Sequence, residues 1–213
     1  IHFCGYGFFF KIIGGQGMAT EYITNIYSSR ALDCVNDIIG SIGEPSVTSL
    51  DTSNVDVVNA LRILDRENRV VQSEGWTFNT LLNKKLLPDV FSNQIMWLPS
   101  YISLIEPSNR TRYINRAGFV YDRVNETNYF SSPIIVNLIE YQDLDEMPDC
   151  FIQLIVARSI RRFNSEYFGA AEIDGKWEIS EAQAKQRCME YELDYGKYNM
   201  FSDDAFVMFQ KYR

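Results

Sequence analysis

Carboxylates are the side chains best supplied for chemistry in this sequence. Glu74, Glu190, Glu192 and Asp194 could provide the acid and its ionised partner in glycoside hydrolysis, if one acid were kept protonated in a dry cleft. Their spacing singles out no acid/base pair. Asp143, Asp145, Glu146 and Asp149 could offer oxygen ligands to a divalent cation. That run lacks the glycine and terminal glutamate of a calcium loop, and acids ahead of a helix also complement its dipole. Arg158, Arg161 and Arg162 cluster on one helical stretch and could grip phosphate. Neighbouring Glu166 and the acidic chain favour ion pairs within the subunit or across a subunit contact.

The chain of 213 residues has one histidine, His2. It lies in residues 1–17, IHFCGYGFFFKIIGGQG, ahead of Met18. This run is too short to span a bilayer and lacks the basic start and cleavage site of a signal peptide. Ile13-Gly14-Gly15 can be encoded by ATA-GGA-GGA, a ribosome-binding sequence at a bacterial spacing from the Met18 codon. Residues 1–17 are therefore expected to be a translated leader. Without His2, a Ser-His-Asp triad and His-ligated zinc lose their central residue. There is no P-loop, G-x-G-x-x-G or nucleophile elbow. Cys34, Cys150 and Cys188 are far apart and lack metal spacing, so they are expected to be small buried apolar residues of a protein folded in a reducing cytosol. Twenty basic against 28 acidic side chains leave a net charge of −8, which disfavours adhesion to nucleic acid.

Periodicity supplies the elements that must position these residues. A helix is expected over 29–42, with Ala31, Leu32, Val35, Ile38, Ile39 and Ile42 inward and Gly43 and Pro45 as its stop. A second runs from about Asn54 to Ser73 on Val57, Leu61, Leu64 and Val71. Short β-type runs follow between prolines: Trp76–Thr80, Ile95–Leu98, Ile102–Ile105, Tyr113–Ile114, Phe119–Tyr121 and Ile134–Ile139. Ala117-Gly118 and Asn125–Asn128 read as turns. Helices return over 149–167, on Phe151, Leu154, Ile155, Ile160 and Phe163, and over 178–195, on Ala182, Ala184, Cys188, Met189, Tyr191 and Leu193. The fold class is α+β. A helical bundle from residues 18–75 and 142–197 holds a small antiparallel β insert, 76–141, and an aromatic arm, 198–213, ends the chain.

Several stretches together resemble a known family. They are Ser41-Ile42-Gly43-Glu44-Pro45, Ala60-Leu61-Arg62-Ile63-Leu64, Gln72-Ser73-Glu74-Gly75-Trp76-Thr77-Phe78-Asn79 and Leu87-Pro88-Asp89-Val90. The match continues through Tyr113-Ile114-Asn115-Arg116, Gly118-Phe119-Val120-Tyr121-Asp122-Arg123 and Asp145-Glu146-Met147-Pro148. It closes with Arg162-Phe163-Asn164, Tyr167-Phe168-Gly169-Ala170, Cys188-Met189-Glu190-Tyr191-Glu192 and Asp204-Ala205-Phe206. Over 18–213 the chain is similar to the tail tubular protein A family, the head-to-tail adaptors of short-tailed phages of the Autographiviridae type.

The resemblance implies a structural virion tail protein assembled in the bacterial cytoplasm. Such adaptors form a twelve-subunit ring between the portal protein and the tail nozzle protein, tail tubular protein B. Genome DNA passes through the ring without specific binding. No cofactor and no membrane are implied. The alternative is a peptidoglycan hydrolase, alone or as an added activity, which would have to use a pair of the carboxylates above. Phe201, Phe206, Met208 and Phe209 are expected to dock on the portal. Tyr121, Tyr129, Phe130, Arg158, Arg161 and Arg162 are expected to contact neighbouring subunits or the nozzle.

Overall fold

The computed structural model describes residues 29–50, 53–106, 108 and 110–195. The expected leader, 1–17, and the expected arm, with Phe201, Phe206, Met208 and Phe209, lie outside the described residues. Among the described residues the fold is α+β, with four helices flanking a small antiparallel β region.

Helix α1 (Ser29–Gly40) and helix α2 (Val55–Ser73) form a hairpin. Gly43, at φ +87°, makes the left-handed turn that ends the first helical stretch. Asn36 then clasps the following loop, donating to the Val47 carbonyl (3.0 Å) and accepting from the Val47 amide (2.8 Å). The Asn54 side chain accepts from the Asp56 amide and caps α2. Helix α3 (Asp149–Tyr167) and helix α4 (Ala171–Tyr195) form a second hairpin. Its turn is fixed by buried Asn164, whose side chain bonds both the carbonyl (2.8 Å) and the amide (3.1 Å) of Ala170. Gly169, at φ +69°, sends its amide back to the Asn164 carbonyl.

The four helices share one core around Val35, Ile38, Leu64, Ile155, Ile160 and Phe163. Phe151 is fully buried against Trp76, Phe78 and Tyr191, with ring centroids 4.9, 4.5 and 5.5 Å away. Full burial of the Phe151 ring contributes about 1.5–3 kcal/mol.

The β region has its own core, including Leu104, Val120, Val136 and Leu138. Strands β1 (Thr80–Leu86), β2 (Tyr101–Ile105) and β5 (Ile134–Glu140) form an antiparallel sheet in the order β1-β5-β2. Strands β3 (Tyr113–Arg116) and β4 (Phe119–Asp122) form a hairpin closed by Ala117 and Gly118, both at positive φ.

A buried polar joint ties the two cores together. Gln72 Nε2 donates to Asn68 Oδ1 and to the Gln142 carbonyl, each at 2.8 Å, and Gln72 Oε1 accepts from the Gln142 amide at 2.8 Å. Asn68 Nδ2 in turn donates to the Tyr141 hydroxyl. Thus the end of α2 grips the chain leaving β5. Gly75 sits in this corner at φ +78°, where a Cβ would meet Ile139 Cδ1 at 2.7 Å.

Four expectations need correction. Trp76–Thr80 is not a strand: Thr77–Asn79 is a 3-10 turn whose Asn79 side chain accepts from the Trp76 amide. Ile95–Leu98 contributes one isolated bridge, Met96 to Phe119. Helix α4 begins at Ala171 rather than 178. Ala182, Met189 and Leu193 face solvent, because α4 buries Ala184, Cys188 and Glu192 at helical spacing.

Candidate functional site

Among the described residues, the most exposed large hydrophobic side chains occupy the loop after β1. Pro88 precedes Asp89, whose Oδ1 accepts from the Phe91 amide (3.0 Å), the Ser92 amide (2.8 Å) and the Ser92 hydroxyl (3.0 Å). Bonds from the Ser92 amide and hydroxyl, then the Phe91 amide, hold this carboxyl below its usual range. The Asp89 amide donates to the Gln94 carbonyl (2.8 Å), and the Phe130 amide donates to the Asn93 carbonyl (2.8 Å). Asn93 takes the left-handed conformation at φ 53°. The loop is therefore shaped by its own backbone, yet Val90 is 86 % and Phe91 96 % exposed. A prearranged aromatic on a loop tip loses little entropy on meeting a partner, which suits an anchor of a protein interface.

A cleft of about 530 Å³ opens between α1 and α4 over α3. Ile152, Val156, Ala157, Ala184 and Trp177 give it an apolar lining. Arg30, Asp33, Asp37 and Arg187 stand among its polar lining residues. Arg30 is held by Asp149 at 3.1 Å. Burial, with Asp33 beside it, pushes the Asp37 carboxyl up. Burial, then Asp37 and Asp33, push the Cys34 thiol up to about 12. A thiol so placed is a poor nucleophile.

The expected contact residues are separated. Arg158 pairs with Glu74 (3.3 Å) and Glu181 (3.1 Å), and Arg161 pairs with Asp174 (2.9 Å) and Glu181 (2.7 Å). Arg162 reaches Glu67 (3.5 Å) and Glu166 (2.9 Å). These arginines lace α2, α3 and α4 together within one subunit. Phe130 is buried in the sheet core beside Tyr113. Tyr121 is half-buried under the Arg116 guanidinium, 3.8 Å above its ring. Tyr129 is 63 % exposed and adjoins the Phe91 loop through the Phe130–Asn93 bond.

Three of the four candidate acids bond to neighbours in the fold. Glu74 pairs with Arg158, and buried Glu192 accepts from the Thr77 amide (2.9 Å) and hydroxyl (2.6 Å), capping the 3-10 turn. Glu190 accepts from Gln186, and Asp194 is exposed. None of the four lines the α1–α4 cleft. Among the described residues, no group of three or more His, Cys, Asp or Glu is placed to hold a metal ion. No helix among them is long and apolar enough to cross a membrane. Sequence reading missed Val90 and Phe91 as contact residues. The available signal was an aspartate followed by two apolar residues and Ser-Asn, a side chain set to cap its own loop.

Known proteins share much of this sequence. Tail tubular protein A of Klebsiella phage KP34 is 27 % identical over 122 residues, 56 % of this chain and 63 % of the relative. The matched region thus spans less than two thirds of that relative's length. Residues 32–198, which include the whole β region and all of the two helical hairpins except the first three residues of α1, match the family model described as tail tubular protein. The chain belongs to the tail tubular protein family, a structural component of the phage tail.

Proposed function

We propose that this protein is the adaptor subunit that joins the portal of a phage head to the tail nozzle and forms the channel for genome DNA. The observation that carries the reading is the self-braced loop that holds Val90 and Phe91 in solvent. Surfaces of this kind serve protein contacts. The partners are further copies of the chain in a twelve-subunit ring, the portal protein, and the nozzle protein, tail tubular protein B. The site of action is the virion tail, after assembly in the host cytoplasm.

Residues 18–75 and 142–197 act as one bundle, residues 76–141 as the insert that faces the nozzle and neighbouring subunits, and residues 198–213 as the portal-docking arm. Tyr121 and Tyr129 on the insert have surface to offer. Arg158, Arg161 and Arg162 support the interface by stiffening the bundle beneath it. In the arm, Phe201, Phe206, Met208 and Phe209 supply apolar anchors. The net charge of −8 supports a channel that repels phosphate, so DNA slides without specific binding. Deleting residues 199–213 should leave a folded subunit that no longer joins portal-filled heads. Genome-retaining particles built with the truncated chain would contradict the arm's role.

A further inference from the structure

We propose that the Val90–Phe91 loop of one copy seats in the α1–α4 cleft of the next copy, making a head-to-tail contact that closes the ring; this rests on the ring reading above. Phe91 is 96 % exposed, so it does not fill the cleft of its own subunit. The loop belongs to the β region and the cleft to the helices, so every copy offers both halves on different surfaces. A contact between unlike surfaces repeats from copy to copy and closes when the rotation fits. A cleft of about 530 Å³ with Trp177 in its wall is of the size that encloses a small organic group, and so can take an aromatic side chain and its neighbour.

Charge selects the same pairing. Asp33 and Asp37 lie one turn apart on α1, and both line the cleft. Like charges at this spacing repel, and neither has an ion-pair partner among the described residues. Lys84 and Lys85 lead into the anchor loop on the edge strand β1; both are exposed and without an ion-pair partner among the described residues. Arg30 and Arg187 share the cleft, but with Asp149 its lining holds three aspartates against two arginines, so docking brings a basic segment to a net acidic cleft. The contact should therefore weaken as salt rises.

The test uses the full chain, free at high concentration and assembled on portal rings, with a photoreactive benzoylphenylalanine at position 91. Cross-links should join position 91 to a second copy, in peptides containing Asp33–Asp37 or Trp177–Arg187. Cross-links only to portal, to nozzle or to the β region of another copy would overturn the proposal. Phe91→Asp should weaken self-association roughly thirtyfold, the loss of one interface anchor. Gln183→Trp, which fills the cleft from an exposed position, should do the same. Mixed in equal amounts, the two variants retain one intact loop and one intact cleft, and should form dimers but no rings. If wild type and Phe91→Asp form rings of equal stability, the loop contact is refuted and the ring reading stands. If wild type self-associates neither free nor on portal, both fail.

Discussion

Replacing Gln72 with methionine should loosen the joint between the helical bundle and the β region. Gln72 is completely buried and makes three hydrogen bonds of 2.8 Å, two as donor and one as acceptor. Methionine has nearly the same length and shape but can replace none of them. The Gln142 amide, the Gln142 carbonyl and Asn68 Oδ1 would lose a partner, Asn68 Oδ1 in a fully buried bond and the Gln142 groups in part-buried ones. An unsatisfied buried group costs about 1–3 kcal/mol, and added apolar burial returns about 1–2 kcal/mol in total. The expected net loss is about 3 kcal/mol, a large share of a domain's stability. Urea unfolding followed by tryptophan fluorescence reports it, since Trp76 packs beside this corner. Gln72→Glu should lose more, because it removes both donors and buries a charge. A Gln72→Met protein within about 1 kcal/mol of wild type would refute the view that this polar joint holds the two cores together.

Three further outcomes follow from single environments. Leu61→Asp places a carboxylate at a core position that is 5 % exposed, and should prevent cooperative folding at a cost of several kcal/mol; a soluble protein with a sharp unfolding transition would contradict the bundle packing. Burial alone would raise the Asp122 carboxyl, but the Arg112 guanidinium at 2.8 Å and the Asn125 and Val124 amides bring it down to about 2 from 3.8. Its folded value is therefore depressed, so its contribution of about 2 kcal/mol is complete above pH 4 and lost as pH falls towards 2; unfolding of Asp122→Asn across that window should show a flatter acid limb. Ser159 Oγ is buried without a hydrogen-bond partner among the described residues, so Ser159→Ala should stabilise by about 0.5–1 kcal/mol in the same urea assay.

Where the fold was legible in the sequence, strong local signals agreed with the packing. Helix α3 spans the expected 149–167 because Pro148 opens it, Gly169 can take φ +69° beyond its end, and a dense apolar stripe lies between. The β3–β4 hairpin was legible in Ala117-Gly118 for the same reason. Strand β1 was not, since Leu-Leu-Asn-Lys-Lys-Leu has no alternation; it is an edge strand with a bulge where Asn83 takes φ 54°. The face of α4 was misread because that helix meets its partner through a narrow seam, Ala184 and Cys188, and leaves Met189 and Leu193 in water. The arginines of α3 were visible as a cluster, but their partners Glu67, Glu74 and Asp174 become neighbours only when α2 and α4 pack. The anchor loop was hidden for a related reason. Val90 and Phe91 look like ordinary core residues until Asp89 turns the chain outward.

Electron microscopy of the full chain mixed with portal-filled heads tests the central claim most directly. The adaptor account predicts a closed ring of this protein, coaxial with the portal, with an open channel and the β region directed away from the head. Heads without added density at the portal, or with the protein bound off the portal axis, would contradict it.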